Sequence, residues 1–170
     1  MKTVIISSSL REESKGKLML KAVAEKLKAK GADVDFIDCR EFELGHTFRT
    51  TDDMEKIKER IAKADNLVIG MAVYCYTVND SLKSVLDNCF ENVNHKLYGV
   101  VCAAGGQKSY LATQHLTQIC MNEWRMLQLP RVVYGTGQDF SELSITNEDL
   151  LERIDNFANE FYDLGSKLLK

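Results

Sequence analysis

Three stretches of this 170-residue chain gather the side chains and glycines that could bind a charged, planar ligand. The first, Ser7 to Lys17, reads SSSLREESKGK and sets hydroxyls at Ser9 and Ser14 beside cations at Arg11, Lys15 and Lys17. Where a strand gives way to a helix, unpaired N–H groups and the helix dipole favour an anion, and such side chains add charge-assisted bonds. That is phosphate-cradle chemistry, although an ordinary N-cap at Ser14 with solvated lysines would use the same residues. The second stretch, Met71 to Ser84, carries Tyr74 and Tyr76 where the chain leaves an apolar run. Aromatic rings there either cover a planar ligand or pack between strand and helix. The third, Ala103 to Ala112, holds Gly105-Gly106, which permits close approach of main-chain N–H groups to a ligand or makes a plain turn.

Several chemistries are excluded by what these stretches lack. Neither GxGxxG nor GxxxxGK[ST] occurs, so a dinucleotide fingerprint and a triphosphate loop are both missing. No cysteine follows the first apolar run, as a low-molecular-weight phosphatase would need, and serines stand where a phosphoacceptor domain needs acids. His46, His95 and His115 have no ligand-like spacing, and Cys75 has no histidine near it in sequence to activate it. The five cysteines form no CxxC pair and suit a reducing, cytoplasmic setting in which most act as small core hydrophobes. A net charge of −3 gives no general attraction for nucleic acid or anionic membrane, and no apolar run is long enough to span a bilayer. The charge is uneven: residues 1 to 30 carry eight bases against three acids, residues 139 to 170 three against eight. This describes two solvated helix faces, or a basic end turned toward a bound anion.

These residues must be positioned by an alternating series of elements. Apolar runs at 3–6, 33–38, 66–73, 97–104 and 131–135 read as strands, the last one starting behind Pro130. Helical spacing appears at Leu20, Val23, Ala24 and Leu27, across 52–63, from Leu82 to Val93, through Leu116, Ile119 and Cys120, and from Leu150 to Leu168. Five strands apolar on both faces, each followed by a helix, predict one α/β domain over residues 1–170 with helices on both sides of a parallel sheet. The expected doubly wound order is 2-1-3-4-5, with ligand at the switch point between strands 1 and 3. The three loops converge there.

In order and internal spacing, the loops resemble those of the NADPH-dependent FMN reductase family of the flavodoxin-like fold. Ser9-Leu10-Arg11 followed by Ser14 and Gly16 is similar to its Ser-Leu-Arg-x-x-Ser phosphate loop. Ala64 to Asp87 is similar to its third strand and following helix, with Tyr74 and Lys83 on the family's Tyr and Lys. AAGGQKSYLATQHL resembles its Gly-Gly loop and helix, and the likeness extends from residue 3 to about 137. There are departures. The family's Pro-Glu-Tyr-Asn-Gly stands here as Ala72-Val73-Tyr74-Cys75-Tyr76, its later Pro-Gly as Asn79-Asp80, and its second Gly-Gly as Ser109-Tyr110.

The resemblance implies an FMN-dependent oxidoreductase in which hydride passes from NADPH or NADH to the flavin and electrons go on to a small acceptor, such as free flavin or quinone. It places FMN on Ser9, Arg11, Ser14, Lys15, Gly16 and Lys17, on Val73, Tyr74, Cys75, Tyr76 and Thr77, and on Ala104, Gly105, Gly106 and Lys108. No side chain is assigned as catalytic acid or base, because the flavin carries the hydride chemistry. The other readings are a flavodoxin-like electron carrier and a flavin-binding protein without turnover. Homodimers or homotetramers are also implied; Leu82 to Val93 with Phe90 and Trp124 either supplies an apolar patch between protomers or belongs to the core of one protomer.

Overall fold

In the computed structural model, which describes residues 1–142 and 144–170, each apolar run becomes a strand and each helical period a helix. Along the chain stand β1 (Lys2–Ser7), α1 (Lys15–Ala29), β2 (Asp33–Asp38), α2 (Asp52–Ala62), β3 (Asn66–Tyr74), β4 (Thr77–Val78) and α3 (Asp80–Cys89). They are followed by β5 (Leu97–Ala103), α4 (Thr113–Trp124), β6 (Leu127–Gly135), β7 (Phe140–Ser141), β8 (Ser144–Ile145) and α5 (Glu148–Leu168). The main sheet runs β2-β1-β3-β5-β6, all parallel, which is the flavodoxin-like order expected of five strands. No helix is long and apolar enough to cross a membrane among the described residues.

Strand alternation divides the core between the two faces of the sheet. Val4, Ile6, Leu67, Ile69 and Val100 pack with Ile57, Ile61, Leu82, Val85, Leu86 and Leu116 on one side. Ile5, Val68, Val101 and Val133 pack with Leu20, Val23, Leu27, Ile154, Phe157 and Phe161 on the other. Each such side chain contributes about 1.5–3 kcal/mol on burial, so both helical layers are fixed from the strands outward. Gly99 lets α5 lie directly on β5, because a β-carbon there would sit 2.4 Å from the Phe157 ring. Cys39, Cys89, Cys102 and Cys120 are all buried, and burial pushes their thiols up to about 12, so they pack as hydrophobes.

Several sequence-based expectations are corrected. The fifth strand of the parallel sheet, β6, starts at Leu127 rather than 131, and Pro130 lies within it. Between the pairs Tyr98–Gln128 and Val100–Val132 the register shifts, so β6 bulges on the edge of the sheet at the place where Pro can lack an N–H without loss. The proposed dimer patch is not a surface: Leu82, Val85, Leu86, Cys89, Phe90 and Val93 are buried, and Phe90 meets Trp124 at 5.1 Å between ring centroids inside the same protomer. The helix there ends at Cys89, and Val93 joins the core from the loop beyond it. Part of the charge asymmetry is offset within the fold. Helices α1 and α5 lie side by side, and Lys26 Nζ pairs with Asp155 across them at 2.7 Å.

Candidate active site

The site opens where β1 and β3 part. Ser7 pairs with Gly70 in the last rung of that ladder, after which the chain turns toward α1 while β3 runs on to Tyr74. A cleft of about 340 Å³ fills the gap, within the range of small-molecule sites. Ser9, Arg11, Ser14, Lys15, Gly16 and Lys17 line one end of it, Val73, Tyr74, Ala104 and Gly105 the other. A recess beside it is lined by Cys75, Tyr76, Gly106 and Lys108, sharing Val73 and Gly105 with the cleft. The structure thus brings together every residue expected at the site except Thr77. Its hydroxyl instead bonds to Nδ1 of His115 on α4 at 2.8 Å.

At the phosphate end, Ser14 is the N-cap of α1 and accepts a hydrogen bond from Lys17 N–H at 3.2 Å. Capping occupies a lone pair of that hydroxyl and leaves its proton free to donate, so cap and cradle are compatible roles. The three cations differ. Lys17 Nζ is bound to Asp38 at 2.6 Å, and Lys15 Nζ donates to the Gly137 carbonyl at 3.4 Å while lying 5.5 Å from the Phe140 ring. The exposed Arg11 guanidinium makes no hydrogen bond or ion pair among the described residues. Ser7 Oγ, buried against the cleft, has no hydrogen-bond partner among those residues. A buried hydroxyl without a partner is costly, and a phosphate oxygen at the helix N-terminus would supply one. The residues present therefore fit a phosphate-bearing cofactor at this end.

At the opposite end, β4 folds back on β3 through a two-residue turn that the sequence does not announce. Tyr74 pairs with Thr77, and Cys75 and Tyr76 between them take φ of 50° and 60°. Left-handed angles at both central positions define a type I′ turn, whose preferred residues are Asn-Gly. Non-glycine residues there cost roughly 1–2 kcal/mol each. The backbone is strained in order to hold Tyr74 and Tyr76, 39% and 63% exposed, at the mouth of the site. Replacing Cys75→Asn together with Tyr76→Gly should therefore raise the melting temperature of the ligand-free protein by roughly 3–6 °C. An unchanged or lower midpoint in thermal unfolding would show that the turn is not strained.

Other site residues carry no signal in the sequence. The Tyr134 phenol, whose ionisation is pushed up by burial, donates to the Gly106 carbonyl at 2.7 Å and meets Tyr110 edge-on, fixing the Gly-Gly loop. Side chains added at Gly105 or Gly106 would meet nothing within 4 Å, so those glycines border open space. Gly137 also lines the cleft, together with Glu13, Met71 and Ala72. Asn79 is fully buried and ties the first loop to the end of β3.

The sequence that builds this site matches the family model described as NADPH-dependent FMN reductase over residues 1–141. The chain belongs to that family. It is accordingly an NAD(P)H-dependent oxidoreductase with FMN as cofactor. An NAD(P)H-dependent FAD/FMN reductase of Geobacillus thermodenitrificans is 24% identical over 161 residues, covering 94% of this chain and 84% of that protein. An NADH-dependent FMN reductase of Pseudomonas putida is 28% identical over 167 residues, covering 91% and 88%. Among solved structures, an NADH:FMN oxidoreductase in its apo form superposes with a TM-score of 0.83 at 15% identity, covering 96% of this chain and 89% of that one. At that identity the likeness concerns the fold.

Proposed function

We propose that the chain takes electrons from NADPH or NADH through FMN held in the cleft and delivers them to a small planar acceptor of the free-flavin or quinone type. The observation that carries this reading is the unpartnered Ser7 hydroxyl at the end of β1, lining the same cleft as the cationic N-terminus of α1, with an open, aromatic-rimmed recess beside it. FMN, when bound, supplies the hydride and electron chemistry. The protein's part is to bind and orient. Arg11, Ser14 and the first-turn N–H groups of α1 would hold the phosphate, and Ser7 would donate to it. Ala72, Val73 and Tyr74 would form the wall along the ring, and the Gly105-Gly106 segment would bring main-chain N–H groups to its edge. The recess beside Tyr76 and Lys108 leaves room for a second planar molecule.

The phosphate end suits a terminal monophosphate. Lys15 reaches from α1 to the loop after β6 and bonds the Gly137 carbonyl at 3.4 Å, so that this loop borders the cleft, and the first loop lacks the dinucleotide fingerprint. FMN should therefore be the flavin recovered when the reconstituted protein is denatured and its cofactor identified by mass spectrometry. Recovery of FAD from a mixture of both flavins, or of no flavin, would reject the proposal.

A further inference from the structure

We propose that the Asn79 side chain is an inserted rung that sets the spacing between the phosphate cradle and the ring wall. It is thus a positioning residue for FMN, and the inference rests on the functional reading above. In a parallel ladder continuing past Ser7–Gly70, the next rung would join the Ala72 N–H to the Ser8 carbonyl. Neither group bonds the other. The Ala72 N–H donates to Asn79 Oδ1 at 3.1 Å, and Asn79 Nδ2 donates to the Ser8 carbonyl at 3.1 Å. The amide of Asn79 thus stands between the two strands as a peptide group would, wedging β1 from β3 while keeping both backbone groups satisfied.

Three features indicate that this bridge is specific. Asn79 is at the N-cap position of α3 yet makes no capping bond to its own helix, so the usual use of Asn there is given up for the bridge. Its second Nδ2 proton goes to Ser81 Oγ at 2.6 Å, and that hydroxyl donates onward to the Ser8 carbonyl at 2.6 Å. The Ser8 hydroxyl donates to the Gly70 carbonyl at 2.6 Å, closing the network from the β1 side. Asn79, Ser8 and Ser81 are 0%, 1% and 5% exposed, so water cannot replace these bonds. Ser8 leads directly into the cradle and Ala72 directly into the wall. A ligand touching both ends is held at full strength only if their separation is fixed.

The test compares ligands that use both ends with ligands that use one. In Asn79→Leu, FMN affinity measured by fluorescence quenching should fall at least about tenfold, while riboflavin affinity and the inhibition of FMN binding by inorganic phosphate change less than about threefold. Ser81→Ala, which leaves the bridge in place, should keep the wild-type ratio of FMN to riboflavin affinity. Equal losses for all three ligands in Asn79→Leu, an unchanged FMN affinity, or a Ser81→Ala variant as impaired as Asn79→Leu would overturn the role. A measurement on the wild-type chain covers the case in which Asn79→Leu does not fold: saturating inorganic phosphate should slow hydrogen exchange of the Ala72 amide, which the phosphate does not touch. Exchange unaffected by phosphate would also overturn it. Absence of FMN binding to the wild-type protein would instead sink the functional reading.

Discussion

Anaerobic addition of NADPH or NADH to the FMN-loaded protein should bleach the flavin absorbance within minutes. This result separates an enzyme from an electron carrier of the same fold, because a carrier covers its flavin and exchanges electrons with a docked protein. Two observations favour the enzyme. The ring end of the cleft is not closed: it continues into the recess beside Cys75 and Tyr76, and beyond Gly105 and Gly106 a β-carbon would meet nothing within 4 Å. A nicotinamide needs such room to reach its reacting atom with the alignment that makes transfer effectively unimolecular. The rim also has the wrong sign for a carrier with an acidic docking face, since Arg11, Lys15 and Lys108 border the site against Glu13, Lys17 being paired with Asp38, while Asp155 of α5 is paired with Lys26 of α1. Reduction by dithionite but by neither pyridine nucleotide would replace the oxidoreductase reading with the carrier or binding-protein reading.

The sheet order and the location of the site could be read from the sequence because both follow from strong, regular signals. Residues 3–6, 66–73 and 97–104 are apolar without alternation, which only a sheet covered on both sides accommodates, and the switch point of that sheet then selects the loops. What could not be read depends on tertiary context overriding local chemistry. A Cys-Tyr pair carries none of the turn signals of Asn-Gly, so the β3–β4 hairpin is visible only once φ of 50° and 60° are seen. Pro130 argued for a boundary, yet an edge strand with a bulge absorbs it. Asn79 is an unremarkable helix start in sequence, and its bridging role arises from Ser8, 71 residues away along the chain. Phe90 and Trp124 show the converse error: helical spacing identifies an apolar face without saying whether the protomer or a partner covers it, and here α3 and α4 cover it themselves.

Arg11→Ala should weaken FMN binding by about 1.5–3 kcal/mol, or roughly tenfold to over a hundredfold, while leaving riboflavin affinity unchanged. The argument turns on which cation is available. Lys17 is held by Asp38 at 2.6 Å, so its charge is balanced within the protein, and Lys15 leans on the Gly137 carbonyl and the Phe140 ring. Arg11 alone of the three side chains makes no hydrogen bond or ion pair among the described residues, and its planar fork matches two phosphate oxygens at once. Because its guanidinium is exposed, removing it leaves no buried charge behind and the fold should survive, with a melting temperature close to that of the parent chain. Screening adds a second signature: the difference between parent and variant should narrow as salt is raised, since an exposed contact is screened within a Debye length of about 10 Å at 0.1 M. Equal FMN affinity in the variant, or a parallel loss for riboflavin, would mean that Arg11 is a solvated residue of the α1 cap and that the phosphate is held by the helix N-terminus and the serines alone.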